Sequence, residues 1–461
     1  MPHSRLAPPI AGRAIVLGAS MAGLLAARVL QERFQEVLVL ERDALPEGAQ
    51  ARKGTPQALH AHGLLARGRE IIESLFPGFT DALAAQGGVV GDMQANGPFV
   101  ASGRRFVQQA CGRKGLAASR LAIEAEVLRR VRTLPRVRIL TNADVVQPII
   151  ERGRVAAVRA VRRPDGRDEV LASDLVVDCT GRGSRAPAWL RAWGYDAPPE
   201  ERVRVDIAYA TAHLRREPDH APDIAALIFP ATADQPRAGV LLAQEPQDGG
   251  PGRWVVTLAG YGQDTPEPSI EGMRRRARSM GDAALVRILD EGELLGPVTT
   301  FGFPHSQRRR FEGLARFPEG FLAMGDALAS FNPVYGQGMT VAACEALALR
   351  TAVEGGLQGI HRRYFPAVAR IVDVPWQTAV SADLALPGVQ GTRTPAIRFV
   401  NGYLLRVMRA AVHDARVALA FAEVAHLVAP PPTLFAPHIV ARVLWHSRSK
   451  PASAKTVQVL Q

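Results

Sequence analysis

The chain has 461 residues, with 56 Lys and Arg against 44 Asp and Glu, which gives a formal net charge of +12. Hydrophobic residues make up 47% and charged residues 22%, a globular composition that excludes disordered and collagen-like chains. The length allows two to four domains or one large composite fold. Three scattered cysteines, Cys111, Cys179 and Cys344, predict neither a disulfide framework nor a metal site, and they favour a reducing, cytoplasmic location.

The positive charge comes almost wholly from arginine, because the only lysines are Lys53, Lys114, Lys450 and Lys455. A basic chain is compatible with nucleic acid, anionic lipid or an anionic cofactor as partner. Residues 308–310 form a run of three arginines, but aromatic residues reach only 6% and no nucleic-acid recognition module is present. We therefore predict no nucleic-acid partner, and we interpret this run as a solvated surface.

The sequence gives no sign of a membrane-spanning segment. The first twelve residues lack the apolar stretch of a signal peptide, and no run of about 20 apolar residues follows elsewhere. Residues 397–445 alternate arginine with apolar residues at helical spacing, so we expect helices that pack on the main body. Peripheral membrane contact is the less favoured alternative.

The first motif lies close to the N-terminus. Residues 14–17 predict a buried strand, residues 24–31 a helix, and residues 37–40 a second strand that ends at Glu41. A glycine turn between the first strand and the helix, with an acidic residue about 20 positions later, is typical of a dinucleotide-binding βαβ unit. The alternative is a Rossmann-like unit that binds no nucleotide. The turn residues predicted to bind are Gly18, Ala19, Ser20, Met21, Ala22 and Gly23.

Each part of this motif has a physical role. Gly18 allows the tight turn, and Gly23 allows close packing of the helix on the sheet. The helix N-terminus attracts a pyrophosphate, and Glu41 can accept a hydrogen bond from a ribose hydroxyl. Ser20 stands where the middle glycine is usual, and its Cβ crowds the approach of the pyrophosphate.

Two further glycine turns follow predicted strands. Residues 175–177 precede a turn that contains Gly181, and residues 320–324 precede Gly325 and Asp326. Residues 332–339 are again glycine-rich and precede a helix predicted over residues 340–354. Backbone N–H groups at such a helix start stabilise an anion, and Asp326 can bind a sugar hydroxyl. Ordinary turn chemistry is the alternative for both stretches.

These three motifs, in this order, resemble the para-hydroxybenzoate-hydroxylase-like FAD proteins over residues 15–354. Residues 52–57, 60–68, 178–184 and 331–339 are most similar to the monensin and lasalocid epoxidases of polyketide chains. The resemblance implies a non-covalently held FAD that reacts with O2 and transfers one oxygen atom through a flavin C4a-hydroperoxide. The substrate would be a small lipophilic secondary metabolite, such as a polyketide, that is epoxidised or hydroxylated.

The resemblance also implies cofactor contacts beyond the first turn. In that family the first motif holds ADP, and the Gly325–Asp326 motif holds the ribityl and pyrophosphate region. Pro333 and residues 336–338 would lie beside the flavin ring. The contacts implied in this way are Arg42, Arg52, Lys53, His60, Arg120, Gly181, Gly325, Asp326, Pro333, Gly336, Gln337, Gly338 and Met339. His60 and His62 could share one face of a strand, but we favour a position beside FAD over a metal site, which needs more ligands.

One departure concerns the electron donor. Many aromatic hydroxylases have Asp-Gly where this chain has Thr180-Gly181, and in that family the aspartate supports use of NADPH. The donor is therefore either NAD(P)H or a separate flavin reductase. Three other functions stay open: a C=C reductase of the geranylgeranyl-reductase type, a halogenase-like enzyme without the Trp-x-Trp-x-Ile signature, and a non-catalytic FAD-binding protein.

The predicted fold class is α/β, with a Rossmann-like FAD-binding domain, a β-sheet substrate domain and a helical C-terminal region. The FAD domain is discontinuous and comprises residues 12–80, 116–200 and 298–355. Residues 81–115 and 201–297 form the substrate domain, with strands predicted at 202–214, 225–229 and 253–258. The helical region comprises residues 356–461. We locate no base for hydroxylation of a phenol.

Overall fold

The computed structural model describes residues 9–52, 54–163, 165–247 and 249–447, so the predicted cofactor contact Lys53 lies outside the described residues. The described strands are, in chain order, β1 Ala11–Leu17, β2 Phe34–Leu40, β3 Val89–Asp92, β4 Val100–Ala101, β5 Arg104–Arg105, β6 Lys114–Ala117, β7 Val137–Leu140, β8 Ala143–Glu151, β9 Arg154–Arg162, β10 Asp168–Ala172, β11 Leu175–Asp178, β12 Glu200–Arg215, β13 Ala226–Phe229, β14 Arg237–Gln244, β15 Arg253–Tyr261, β16 Thr299–Arg309, β17 Phe321–Ala323 and β18 Ala329–Ser330.

Helices cover the sheets and form most of the C-terminal part. They are α1 Met21–Leu30, α2 Ala66–Leu75, α3 Phe79–Ala85, α4 Arg120–Arg132, α5 Ala186–Ala192, α6 Ile270–Met280, α7 Ala283–Glu291, α8 Gly338–Glu354, α9 Ile360–Ala385, α10 Pro395–Ala411, α11 Ala415–Ala425 and α12 Pro437–Ser447. Short 3-10 turns lie at Pro56–Leu59, Phe311–Gly313, Gly325–Ala327, Pro333–Tyr335 and Pro431–Phe435.

A parallel sheet in the order β17–β11–β1–β2–β7 forms the first layer. The strands predicted at 14–17, 37–40 and 175–177 all belong to it and are confirmed. Residues 14–17 are fully buried, as expected of a parallel strand that is covered on both faces. This layer therefore brings the carboxyl ends of the strands to one edge, where ligands bind in folds of this kind.

An antiparallel sheet in the order β13–β14–β15–β12–β16–β18 forms the second large layer. The predicted strands at 202–214, 225–229 and 253–258 correspond to β12, β13 and β15. One apolar cluster joins the side chains of Trp254 and Leu258 to Met273 of α6 and Ile288 of α7. These helices therefore cover part of the sheet, and the rest of it is free to border a cavity.

The C-terminal helices pack on the body of the protein. Val407 and Met408 of α10 and Val417 of α11 share an apolar cluster with Phe99 and Phe106, which lie far away in sequence. This packing agrees with the amphipathic pattern of residues 397–445. Within the described ranges, no helix is long and apolar enough to cross a membrane.

The interpretation of residues 308–310 as a solvated surface was wrong. The Arg308 side chain is buried, and its Nη1 lies 2.6 Å from Oδ1 of Asp373 in α9. Arg309 is also buried, and its Nη1 donates to the Ala327 carbonyl at 2.9 Å. A charged side chain tolerates burial when its donors are satisfied, and residue order alone does not show whether partners are present.

Candidate cofactor site

A cavity of about 610 Å³ opens at the carboxyl edge of the parallel sheet. Gly18 follows β1, Glu41 follows β2, Cys179 follows β11 and Gly325 follows β17, and all four line the cavity. This volume lies within the range of about 300–1,000 Å³ that small-molecule and cofactor sites occupy. The other predicted site residues that line it are Ser20, Met21, Ala22, Arg42, Arg52, Arg120, Gly181, Asp326, Pro333, Gly336, Gln337, Gly338 and Met339.

Three predicted site residues have other positions. Ala19 and Gly23 lie in the first turn, but they do not line the cavity. His60 lines a smaller neighbouring cavity instead. Most of the predicted residues therefore line one cavity, whereas Ala19 and Gly23 determine the conformation of the turn.

The first turn needs glycine at both ends. Gly18 has φ +97°, its N–H donates to the Leu40 carbonyl at 2.8 Å, and a Cβ there would lie 2.8 Å from the Cys179 carbonyl oxygen. A Cβ on Gly23 would lie 1.8 Å from the Gly18 carbonyl oxygen. The turn and the first helical turn are thus in backbone contact, which only glycine permits.

Glu41 organises this turn as well as facing the cavity. One carboxylate oxygen accepts the Ala19 N–H at 2.8 Å, and the other accepts the Asp43 N–H at 3.0 Å. Nη1 of Arg52 lies 3.3 Å from the first of these oxygens. The acidic residue predicted for ribose binding therefore also fixes the backbone that begins α1.

Two arginines stand beside the start of α1, and Glu124 of α4 links them. Nη2 of Arg52 lies 2.8 Å from Glu124, and the Ser20 hydroxyl donates to the second Glu124 oxygen at 3.0 Å. Nη2 of Arg120 in turn donates to the Ser20 hydroxyl at 3.2 Å. Burial alone would lower the pKa of Arg52, but the Glu124 carboxylate raises it above its ordinary value. Arg52 and Arg120, held near a helix N-terminus by these carboxylates, are the cationic donors that this end of the cavity can offer to an anion, and we refer to it as the anion-binding end.

Glu124 was not among the predicted site residues. It lies four residues after Arg120 on α4, the spacing of an ion pair on a helix face. That spacing was visible in the sequence. Its connection to Ser20 and Arg52 was not, because those residues come from other elements.

The turn after β11 is held by a buried carboxylate. Asp178 accepts from the Thr180 N–H at 2.9 Å, from the Thr180 hydroxyl at 2.6 Å and from the Ser184 hydroxyl at 2.5 Å. Burial raises the pKa of Asp178, and these hydrogen bonds counteract the rise. Gly181 has φ +79°, and a Cβ on it would meet no atom within 4 Å, so its backbone faces open space.

The Gly-Asp turn combines a buried acid with an accessible one. Oε2 of Glu345 in α8 accepts the Gly325 N–H at 2.6 Å, and burial raises the pKa of Glu345 to about 8. Asp326, which follows Gly325 in the chain, is the accessible acid, because its side chain is exposed to the cavity. Burial raises the pKa of Asp326, and the charges of Arg120 and Arg182 oppose this rise.

The start of α8 presents a second helix N-terminus to the cavity. Gly336 has φ +63°, and Gly338 begins the helix with no atom within 4 Å of an added Cβ. Oε1 of Gln337 is buried and finds no hydrogen-bond partner among the described residues. Backbone N–H groups are thus available to an anionic ligand edge, and the Gln337 oxygen is available to a ligand N–H or O–H donor.

A buried polar network fixes the loop before α8. Asn332 accepts from the Tyr209 hydroxyl at 3.0 Å and donates to Asp383 of α9 at 2.9 Å. The Tyr335 hydroxyl also donates to Asp383, at 2.8 Å. Burial raises the pKa of Asp383 to about 7, while the hydrogen bonds from Tyr335 and Asn332 oppose the rise. This network was not predicted, since its members lie on three separate elements.

The two histidines do not lie on a strand, which was the arrangement that the less favoured metal site required. His60 follows the 3-10 turn Pro56–Leu59, and Nδ1 of His62 lies 2.9 Å from the His60 carbonyl oxygen. Burial and the nearby charge of Arg120 lower the pKa of His62 to about 3. His62 lines the large cavity, a position that the sequence analysis did not assign to it. In the part of the chain that the structure describes, no group of three or more His, Cys, Asp or Glu side chains is placed to hold a metal ion.

Comparison with known proteins finds a relative that matches most of the chain. No protein-family profile matches it. Protein Rv3254 of Mycobacterium tuberculosis is 37% identical over 351 residues, which cover 74% of this chain and 73% of that protein.

Solved structures share the fold at lower identity. A probable FAD-dependent monooxygenase, pqsL of Pseudomonas aeruginosa, matches with a TM-score of 0.58 and 18% identity over 81% of this chain and 97% of its own. The flavin-dependent brominase Bmp2 matches with a TM-score of 0.65 and 15% identity over 96% of this chain and 99% of its own. The predicted α/β fold class, with a Rossmann-like parallel sheet and a helical C-terminal region, is therefore confirmed.

Proposed function

The chain belongs to the same family as protein Rv3254 of Mycobacterium tuberculosis, and from its cavity we propose that it is an FAD-dependent monooxygenase. It transfers one oxygen atom from O2 to a small lipophilic molecule. One observation carries this proposal. The three glycine turns, the N-termini of α1 and α8, and the side chains of Arg52 and Arg120 all face one cavity. The fold that it shares with flavin-dependent enzymes supports it.

The residues present fit FAD along its whole length. Arg52, Arg120 and the start of α1 would hold the pyrophosphate, and Glu41 would accept from the adenosine ribose. Asp326 would accept from ribityl hydroxyls. The start of α8, with the buried and unpartnered Gln337 Oε1 beside it, would face the flavin edge. Further contacts in this assignment come from Met21, Ala22, Arg42, Gly181, Gly325, Pro333, Gly336, Gly338 and Met339.

Bound FAD, once reduced, supplies the activation of O2 and the transfer of oxygen. The protein binds and orients the cofactor, and its walls keep bulk water from the reacting atoms. Phe301 and Phe303 of β16 add apolar surface to the cavity next to Pro333. Such a wall favours an apolar substrate, and we propose a secondary metabolite such as a polyketide that is epoxidised or hydroxylated.

The test begins with the purified full chain and FAD. We expect a yellow protein that, when reduced, consumes O2 and forms a product heavier by one oxygen atom, with the label appearing when 18O2 is used. A chain that shows no flavin absorbance after incubation with FAD would refute the proposal. Reduction of a C=C bond without O2 uptake would favour the reductase alternative, and incorporation of bromide would favour the halogenase alternative suggested by the fold of Bmp2.

The electron donor is a separate part of the proposal. Thr180 stands where many aromatic hydroxylases have an aspartate, so we propose that direct reduction by NAD(P)H is slow and that a separate flavin reductase serves the enzyme. Anaerobic bleaching of the FAD spectrum by NADH or NADPH alone, compared with bleaching after a flavin reductase is added, distinguishes the two donors. Fast bleaching by the nucleotide alone would contradict the separate reductase.

A further inference from the structure

A small apolar cavity of about 50 Å³ adjoins the large one. Both are lined by Phe301, Pro333 and Gly336, so the small cavity begins where the large one meets the loop before α8. Tyr209 of β12 and Val240 of β14 form its walls on the antiparallel sheet. On the assignment above, this cavity lies next to the flavin ring and receives one end of the substrate.

His60 places an imidazole in this apolar wall. Its ring centroid lies 5.4 Å from that of Phe301 and 6.4 Å from that of Tyr209. Its Nδ1 lies 2.7 Å from the hydroxyl oxygen of Thr211, which is fully buried in β12. Among the described residues, the one side-chain hydrogen bond of His60 is made by Nδ1, so Nε2 is the ring nitrogen that a ligand can bind.

A chain of hydroxyl groups ends at Nδ1 of His60. The Ala61 N–H donates to the Thr257 hydroxyl oxygen at 3.0 Å. The Thr257 hydroxyl lies 2.7 Å from that of Thr211, and either oxygen can be the donor in this contact. When Thr257 donates to Thr211, the Thr211 hydroxyl donates to Nδ1 of His60, and the neutral imidazole carries its hydrogen on Nε2.

The ring is neutral near pH 7. Burial lowers the pKa of His60 to about 4, and the small cavity places no carboxylate against the ring. A neutral ring with pKa near 4 is a poor base for a phenol, which ionises near pH 10. It is nevertheless an effective hydrogen-bond donor in a site where water is scarce.

We propose that Nε2–H of His60 binds a carbonyl or hydroxyl oxygen of the substrate and thereby orients the carbon that receives oxygen. This deepens the proposed monooxygenase function and rests on it, because it assumes that the flavin ring lies beside Pro333. The substrate is accordingly an apolar molecule with an oxygen group near the reacting carbon. A hydrocarbon alkene without such a group cannot accept the hydrogen bond from Nε2–H of His60.

The test compares two probes of similar size that differ in one group, a carbonyl in acetophenone and a methylene in ethylbenzene. Dissociation constants of acetophenone and ethylbenzene are measured by saturation-transfer NMR titration of the full chain loaded with FAD. We expect acetophenone to bind about fivefold more tightly, the effect of one net hydrogen bond. His60→Phe reduces the ratio to about one, and His60→Gln, which retains an N–H donor, keeps part of the preference.

Thr211→Val provides a second variant that leaves the imidazole in place. It removes the hydroxyl that would donate to Nδ1 and so favour the Nε2–H tautomer, and we expect the preference for acetophenone to fall, while ethylbenzene binds as before. A purely structural role for His60 would weaken both probes equally and leave the ratio unchanged. A ratio near one in the unmodified chain, or an unchanged ratio in His60→Phe, would overturn the inference. If the chain binds no FAD, the monooxygenase proposal fails, whereas the probe ratio is still measurable on the FAD-free chain.

Discussion

At the scale of single residues, the proposed cofactor site depends on tightly packed atoms. Gly18 and Gly23 face each other across the first turn, where the backbone of one occupies the space of a side chain on the other. Glu345 is equally confined, since its carboxyl group is buried and bound to the Gly325 N–H. Substitutions at these positions test the site without knowledge of the substrate.

Replacement of Gly23 by alanine is expected to abolish FAD retention. The new Cβ would lie 1.8 Å from the Gly18 carbonyl oxygen, so α1 must move away from the turn. We expect a loss of several kcal/mol in the free energy of unfolding, as for other overpacked sites (about 1–3 kcal/mol or more). Gly402→Ala in α10 is the control, because no atom lies within 4 Å of its Cβ, and FAD content should be unchanged. Retained FAD in Gly23→Ala would contradict the assignment of this turn.

Replacement of Glu345 by glutamine is expected to stabilise the protein in mildly alkaline solution. The folded pKa of about 8 lies above the ordinary value of 4.5, so the cost of keeping this group protonated grows as pH rises from about 4.5 to 8. Glutamine has no such cost. Urea unfolding should show a gain of roughly 2–4 kcal/mol at pH 8 and little gain at pH 5. A pH-independent difference would mean that Glu345 is ionised in the folded protein.

At the scale of elements, the anion-binding end is assembled from pieces that are distant in sequence. Arg52 follows β2, Ser20 begins α1 and Glu124 lies on α4. The charge-assisted hydrogen bonds between them hold the loop around Arg52 against the two helices. The sequence predicted that Arg52 and Arg120 bind the cofactor, but it did not predict the carboxylate that positions them.

Replacement of Arg52 by methionine is expected to weaken FAD binding by about 10- to 100-fold. A charged hydrogen bond contributes about 1.5–3 kcal/mol, and its loss also leaves Glu41 and Glu124 uncompensated beside the pyrophosphate. Arg138→Met is the matched control, because this exposed arginine lies 3.6 Å from Glu36 at the surface. FAD titration by fluorescence quenching measures both. Equal affinities for the two variants would exclude Arg52 from the site.

At the scale of the whole molecule, buried neutral histidines link stability to pH. Burial lowers the pKa of His60, His213 and His426 to about 4, and that of His62 to about 3. Nδ1 of His426 accepts the Ala66 N–H at 3.2 Å, which connects the C-terminal helices to α2. Such an acceptor cannot function once the ring is protonated.

We expect these histidines to lower the free energy of unfolding as pH falls from about 6.5 to 5, in opposition to Glu345 and Asp383, whose raised pKa values favour the folded chain in the same window. In this window the unfolded chain takes up protons on the histidines and the folded chain does not, so their contribution favours unfolding in acid. His426→Asn keeps an acceptor near the position of Nδ1 and cannot titrate, so its stability should depend less steeply on pH. Chemical denaturation at pH 7, 6 and 5 measures both slopes, and parallel slopes would show that His426 does not contribute.

The net positive charge of the chain comes from arginines that have different roles in the structure. Several arginines prove to be structural, among them Arg308, which was interpreted as a surface group and pairs with Asp373, and Arg276, which pairs with Asp264. Arg52 and Arg120 lie at the cavity. Net charge alone could not separate these uses, because it counts residues and ignores their partners.

The sequence by itself determined the parallel layer and the glycine turns. A buried apolar strand, a turn that only glycine can make and an amphipathic helix are local patterns, and the strands at 14–17, 37–40 and 175–177 followed from them. The division into domains, by contrast, stays a prediction.

Only the tertiary structure decided which side chains meet. Glu124 reaches Ser20, Asp383 reaches Asn332 and Thr211 reaches His60 across gaps of 51 to 151 residues. Hydrogen bonds and ion pairs over such distances depend on how layers pack, which no local pattern of residues encodes.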